Sequence, residues 1–242
     1  MICIGTRVHS NQGSFYPDID HLMNWCKRTL RYADKVLIAT DQFLFDQLDR
    51  AFLPLGNQVQ LLLVSPWHGF TMALNALLAE STILGAEKIL LQSVEVDSSA
   101  ADFSTLHRHF DDSTLVVGAK LTKEHGVKSG VQEINALNSP WNTLALWDLK
   151  KLNLTGFIGI SNGLVDNIPG GMEEVVTISL LQHLQPNEMT SKLVTLPEVQ
   201  WQIAWQDPKR KTDHESKMAS KLTRAEMQLQ YLNHPRGLVE VI

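Results

Sequence analysis

Cysteine is almost missing from this chain, with only Cys3 and Cys26 in 242 residues. Two such residues support neither a disulfide framework nor a thiolate zinc cluster, and the plain reading is two partly buried free thiols. Long apolar runs are missing too. No stretch approaches the roughly 20 residues that a membrane-spanning helix needs, and no basic leader with an apolar run and cleavage site is visible. The expectation is therefore a cytoplasmic protein with no membrane span. Positive charge is not in excess, since Lys and Arg number 21 against 26 Asp and Glu. That balance lacks the basic surface of a nucleic-acid-binding protein and excludes that class of partner. Also absent are a P-loop with its lysine, a Gly-x-Gly-x-x-Gly run after the first strand, a Gly-x-Ser-x-Gly elbow, internal repeats and low-complexity tracts.

What is present is a chain long enough for one substantial core, without demanding a second domain. Short apolar runs at 2–6, 35–40, 58–64, 88–92 and 114–119 read as strands. Those around Leu61–Val64 and Ile89–Leu91 are continuous rather than alternating, as in strands covered on both faces. Between them, residues 19–33, 42–51 and 71–84 read as helices, and Gly85 can end the third. Beyond 119 the character changes. Residues 120–139 are polar and read as a mobile loop or lid around a short strand at 131–134. An extended stretch at 140–147, a short helix at 148–152 and a strand at 157–160 follow, and a helix then runs from about 173 to 184. The late segments 193–196 and 199–205 read as edge or antiparallel strands, and 213–232 as a charged helix.

The expectation is an α/β fold in one domain over 1–205, with a nucleotide-binding half over about 1–119 and an acceptor half over about 120–205. Residues 206–242 read as a linker and peripheral helix that could dock on the core or on the second subunit of a homodimer.

In open α/β sheets, ligands lie beyond the C-terminal ends of the strands, and polar residues collect at those places here. Arg7 begins a polar segment after the first strand. Asp41 follows the second strand, where it can contact a base or ribose, or cap the next helix. Trp67 and His68 either line a pocket or pack on the surface. His107 and His109, two apart, would diverge on a helix and make poor co-ligands.

Glu95 and Asp97 follow the buried strand. In extended chain, residues two apart point the same way, so both could face one hard divalent cation together with a diphosphate. Glu173 and Glu174 stand in the first turn of a helix. A carboxylate there can take a proton from an acceptor hydroxyl, or simply complement the helix dipole.

The succession Met72, Ala73, Leu74, Asn75, a helix, and then Gly85 through Asp97 resembles the nucleotide-diphospho-sugar transferase superfamily. Within it, the similarity is to the family 2-like glycosyltransferases of the GT-A fold. The resemblance covers roughly residues 2–185. It implies a GT-A-like three-layer α/β/α architecture with an open, mainly parallel mixed sheet. It also implies nucleotide contacts from Arg7, Asp41 and Asn75, and a Mn or Mg ion with the donor diphosphate at Glu95 and Asp97. The stretches at 142–147, 154–157 and 170–174 resemble the family's acceptor block, which implies that Glu173 or Glu174 is the base.

Two departures stand out: Gln92 and Ser93 replace the usual Leu-Asp before the metal motif, and the later Gln-x-x-Arg-Trp is absent. The implied activity is transfer of a sugar from a nucleoside-diphosphate sugar to a hydroxyl acceptor. A non-catalytic sugar-nucleotide-binding or assembly protein is one alternative. A nucleotidyltransferase is the other, weakened by the missing glycine-rich loop after the first strand.

Overall fold

The computed structural model describes residues 1–11, 13–121, 127–196, 199–201 and 220–242. The first half alternates strand and helix: β1 (Ile2–Val8), α1 (Ile19–Thr29), β2 (Lys35–Thr40), α2 (Gln42–Phe52), β3 (Val59–Leu63), α3 (Phe70–Ile83) and β4 (Lys88–Gln92). Next come β5 (Val96–Asp97), α4 (Ala100–Arg108), β6 (Thr114–Lys120), β7 (Gly130–Glu133), β8 (Leu144–Asp148) and α5 (Leu149–Leu152). A 3-10 turn (Gly159–Asn162), α6 (Glu173–Leu184), β9 (Thr190–Thr195), β10 (Gln200–Trp201), α7 (Lys221–Tyr231) and β11 (Leu238–Val241) complete the described elements.

Nine strands form one sheet in the order β3-β2-β1-β4-β8-β6-β9-β11-β7. Most neighbours are parallel; β8 runs antiparallel to both β4 and β6, and β7 antiparallel to β11. This is the expected α/β class with an open, mainly parallel mixed sheet. The continuous apolar runs of β2 and β4 explain it, whereas the run in β3, at the sheet edge, is only partly covered and leaves Leu63 exposed. Val36, Leu37, Ile38 and Ala39 of β2 are fully buried, and Ile89, Leu90 and Leu91 of β4 are at most 1% exposed. Only a sheet covered on both faces can bury successive residues of one strand. Each large aliphatic side chain so buried contributes roughly 1.5–3 kcal/mol. Because β2 lies on one side of β1 and β4 on the other, the strand order reverses at β1. A crevice opens beyond the C-terminal ends of such strands.

The C-terminal part differs from the sequence expectation. Residues 206–242 read as a linker and peripheral helix, yet β11 lies inside the main sheet, parallel to β9 and antiparallel to β7. Its residues alternate, with Val239 and Val241 buried and Leu238 and Glu240 exposed, which is the period of a half-buried strand. β9 is likewise no edge strand, since it lies between β6 and β11 and is parallel to both. Residues 157–160 are not a strand; Gly159–Asn162 is a 3-10 turn. Much of the strand expected at 199–205 and part of the helix expected at 213–232 lie outside the described residues.

Helix α3 ties the two halves together through residues distant in sequence. Its N-cap is Gly69, which has no side chain to accept a helix N–H. The cap comes instead from Asn162, whose Oδ1 accepts from the Thr71 N–H at 2.9 Å. Gly69 has φ +71, and a Cβ there would lie 2.5 Å from that same oxygen, so glycine is required on both counts. One turn later, Asn75 donates through Nδ2 to the Phe157 carbonyl at 3.0 Å and accepts the Phe157 N–H at 2.8 Å.

The α3 clips should be separable by equilibrium urea unfolding. Asn162→Ala should cost about 1 kcal/mol, as a lost cap does. Asn75→Ala should cost on the order of 2 kcal/mol, because it leaves both polar groups of Phe157 unpaired.

Candidate functional site

At the strand reversal, Arg7 stands near the end of β1. Its Nη1 donates to Glu173 Oε1 at 3.1 Å, across 166 positions of sequence. Its guanidinium also lies over the Phe70 ring, 4.7 Å from the centroid, at the first residue of α3. His9 stacks on Trp67 with ring centroids 5.1 Å apart and lies 5.8 Å from Phe70. The end of β1 therefore carries a cation and an aromatic group that reaches the loop after β3.

Glu173 and Glu174 begin α6, and both are buried. Met172, the N-cap, has left-handed backbone and no side-chain cap, so the helix meets these two acids with its positive end. Glu174 accepts the Asn142 N–H at 2.7 Å through Oε1. The Asn142 side chain reaches Glu173 Oε1 at 3.5 Å through Nδ2 and accepts the Trp147 indole N–H at 2.9 Å. Trp147 itself is fully buried, edge-on to Phe157. A rigid aromatic thus fixes Asn142, and Asn142 fixes the acid pair. Burial first, and the neighbouring Glu173 second, push the Glu174 carboxyl up to about 7. In the sequence, Asn142 stands out only as part of a family-like block. Its position just ahead of β8 is what brings it to the acids.

The remaining candidates are engaged elsewhere. Asp41 caps α2, accepting from the Phe43 and Leu44 N–H groups through Oδ1, while Oδ2 accepts the Ser10 N–H at 2.6 Å and the Ser10 hydroxyl at 2.8 Å. It shapes the loop after β1 and is 3% exposed. The Asn75 amide is spent on Phe157.

Glu95 lies in a turn rather than in extended chain, so the alternation expected to align it with Asp97 does not hold. Glu95 accepts from the Ser93 hydroxyl, whereas Asp97, in β5, accepts from Arg28 of α1 at 3.1 Å. His21 and Tyr32 hold the same segment, at the Val94 carbonyl and at Gln92 and Ser98. Among the described residues, no group of three or more His, Cys, Asp or Glu forms a ready-made metal cage. The Ser93 hydroxyl and Glu95 carboxylate are hard oxygen donors. They fit an ion of the magnesium class that takes one carboxylate and completes its shell with phosphate oxygens.

Comparison with solved structures bears on the fold. A mannosyltransferase from Pyrobaculum calidifontis, solved in complex with GDP-Man and Mn2+, matches at TM-score 0.55 and 11% identity, over 81% of this chain and 55% of its own. The fold is GT-A-like. GalNAc-T7, solved with UDP, GalNAc and Mn2+, matches that fold at TM-score 0.55 and 10% identity, over 78% of this chain and 41% of its own. A 4-diphosphocytidyl-2C-methyl-D-erythritol synthase from Anaerococcus prevotii shares it at TM-score 0.53 and 10% identity, over 90% of this chain and 96% of its own. This chain thus spans just over half the length of the mannosyltransferase. No family model and no curated sequence matches. The GT-A-like fold is common to sugar transferases and to a nucleotide-transferring synthase, so the reaction has to be argued from the site.

The raised Glu174 carboxyl makes a stability prediction with a definite sign. Its folded pKa, about 7, lies above the ordinary value of 4.5, so the folded state holds a proton that the unfolded state gives up between those limits. The associated stability is intact below about pH 4.5 and is lost as pH rises through about 7. Glu174→Gln keeps an oxygen for the Asn142 N–H and removes this dependence. At pH 8 it should be more stable than the parent by at most on the order of 3 kcal/mol, with the gap closing at low pH. Thermal unfolding between pH 4 and 8 measures this, and parallel curves for the two proteins would contradict it.

Proposed function

We propose that this chain binds a nucleoside-diphosphate sugar in the crevice beyond β1 and β4 and transfers the sugar to a hydroxyl acceptor. The observation that carries the reading is the pairing of Arg7, from the first strand, with Glu173, next to Glu174 at the start of α6. A cation that can meet a diphosphate and a carboxyl that can take a proton are thereby brought side by side.

In this reading Arg7 turns from Glu173 to the diphosphate, where a guanidinium is well matched to phosphate oxygens. Glu173 holds Arg7 in place until then. Glu174, with its proton affinity near neutrality, is the better matched of the two acids to receive the acceptor's proton. Asp41 acts through the Ser10 loop, and Asn75 acts by holding α3 against the Phe157 turn. Glu95, with Ser93, would hold Mn or Mg, which when bound neutralises charge on the departing diphosphate. Asp97 fastens this segment to Arg28.

A non-catalytic sugar-nucleotide-binding protein is the second reading. The pairing of Asp97 with Arg28 favours it, since it leaves the metal motif with one uncommitted carboxylate.

Calorimetric titration with nucleoside diphosphates and their sugar conjugates, with and without manganese, tests the proposal. Binding should weaken at least about tenfold in Arg7→Ala, which loses a charge-assisted contact, and in Glu95→Ala when manganese is present. Asp97→Ala should change affinity much less. Glu174→Gln should bind as the parent does while transfer falls about 100-fold or more, the range for a lost general base. Binding with no transfer in either protein would favour the second reading. No binding across the series would sink both.

A further inference from the structure

We infer that Gln228, on α7, is a positioning residue for the acid pair, holding the chain bend that leads into Glu173 and Glu174. The inference rests on the reading of that pair as transfer machinery. Gln228 is fully buried, and its amide is matched to the bend. Nε2 donates to the Pro169 carbonyl at 2.7 Å and to the Gly171 carbonyl at 2.8 Å, so both of its hydrogens are used. Oε1 accepts from the Ser161 hydroxyl at 3.0 Å. Arg224, one turn earlier, reaches the carbonyl between them, Gly170, at 3.4 Å. Three consecutive carbonyls are thus held from α7, the last of them one residue before Met172.

The bend needs such a hold. Met172 is buried with φ +62, a left-handed backbone conformation that is unfavourable for a residue bearing a side chain. It is also the N-cap of α6 and supplies no side-chain cap. Nothing in its own chemistry fixes the direction in which α6 starts. The opposite side of the bend is pinned by the Gly171 N–H on the Ser161 carbonyl at 2.8 Å, and the hydroxyl of that same Ser161 is the one bound by Gln228.

α7 packs against α6, and the chain that follows α7 is tied to the same helix. The Gly237 N–H donates to Ser179 Oγ at 3.0 Å, and Gln182 exchanges two hydrogen bonds with Leu238, at 2.6 and 2.8 Å. The clamp is therefore referenced to the helix whose first turn it sets. An apolar residue could fill the volume of Gln228, but only a primary amide offers two donors to carbonyls two residues apart and an acceptor to a hydroxyl.

Two measurements on the full chain test this. Hydrogen exchange followed peptide by peptide should show residues 169–176 exchanging at least about tenfold faster in Gln228→Met, with residues 71–78 of α3 unchanged. Hydrolysis of UDP-glucose or GDP-mannose, whichever the parent binds, should lose about 100-fold in kcat with KM within twofold, the signature of misplaced catalytic groups rather than lost binding. Gln228→Glu should recover part of that rate as pH falls and its carboxyl gains a proton to donate; Gln228→Met should not. If Gln228→Met does not fold, Ser161→Ala removes one of the three bonds and should show smaller changes in the same segment and the same parameter. Unchanged exchange at 169–176, or equal loosening of α3, would overturn the clamp, as would full kcat with faster exchange. If the parent binds neither sugar nucleotide, the transfer reading fails, and the exchange result still decides whether the clamp exists.

Discussion

Two carboxylates adjacent in sequence and removed from water cannot both be ionised without compensation. The surroundings of Glu173 and Glu174 are arranged around that constraint. Arg7 neutralises one, and the Asn142 backbone and a retained proton accommodate the other. Each of these groups is in turn fixed by something apolar. Arg7 rests on Phe70, and Asn142 is held by the indole of a fully buried Trp147. Removing the aromatic scaffold would leave the charges without a defined geometry. Removing the charges would leave a pair of buried acids with no reason to be there.

The same logic explains why the two halves of the sheet are stitched by polar side chains at the strand ends and by apolar contacts within. Along β1, β2 and β4 the packing is continuous and specifies only that helices cover both faces. At the rim, single residues decide which segments meet: Asn162 and Asn75 bring the 157–162 segment to α3, and Asp41 draws the Ser10 loop onto α2. Such groups have one or two partners and no tolerance for displacement. They make the crevice specific in a way the core cannot.

Much of the first half was legible in the sequence, because buried parallel strands and capped amphipathic helices leave local signatures. Asp41 as a helix cap and the run Ile89–Leu91 are of this kind. The acid pair was legible as well, through its place in a first helical turn. Its partners were not, since Arg7 and Glu173 are separated by 166 positions, and nothing in either neighbourhood announces the other. Glu95 and Asp97 show the opposite failure. A spacing of two implies a shared face only while the chain stays extended, and a turn at Glu95 breaks that condition. β11 carries an alternation over four residues, too short beside a charged helix to distinguish a strand from a tail.

The place of β11 also has a consequence for synthesis. β1 to β4 pair with one another within the first 92 residues and can assemble while the chain is still emerging from the ribosome. Among the described residues, β9 and β7 are joined to each other through β11. Until residues 238–241 are available, β9 has an open edge, and the bend before Glu173 has no α7 to rest on. The β1–β4 part of the sheet can thus exist in the nascent chain well before the surroundings of α6, and the two come into register only when β11 is laid down.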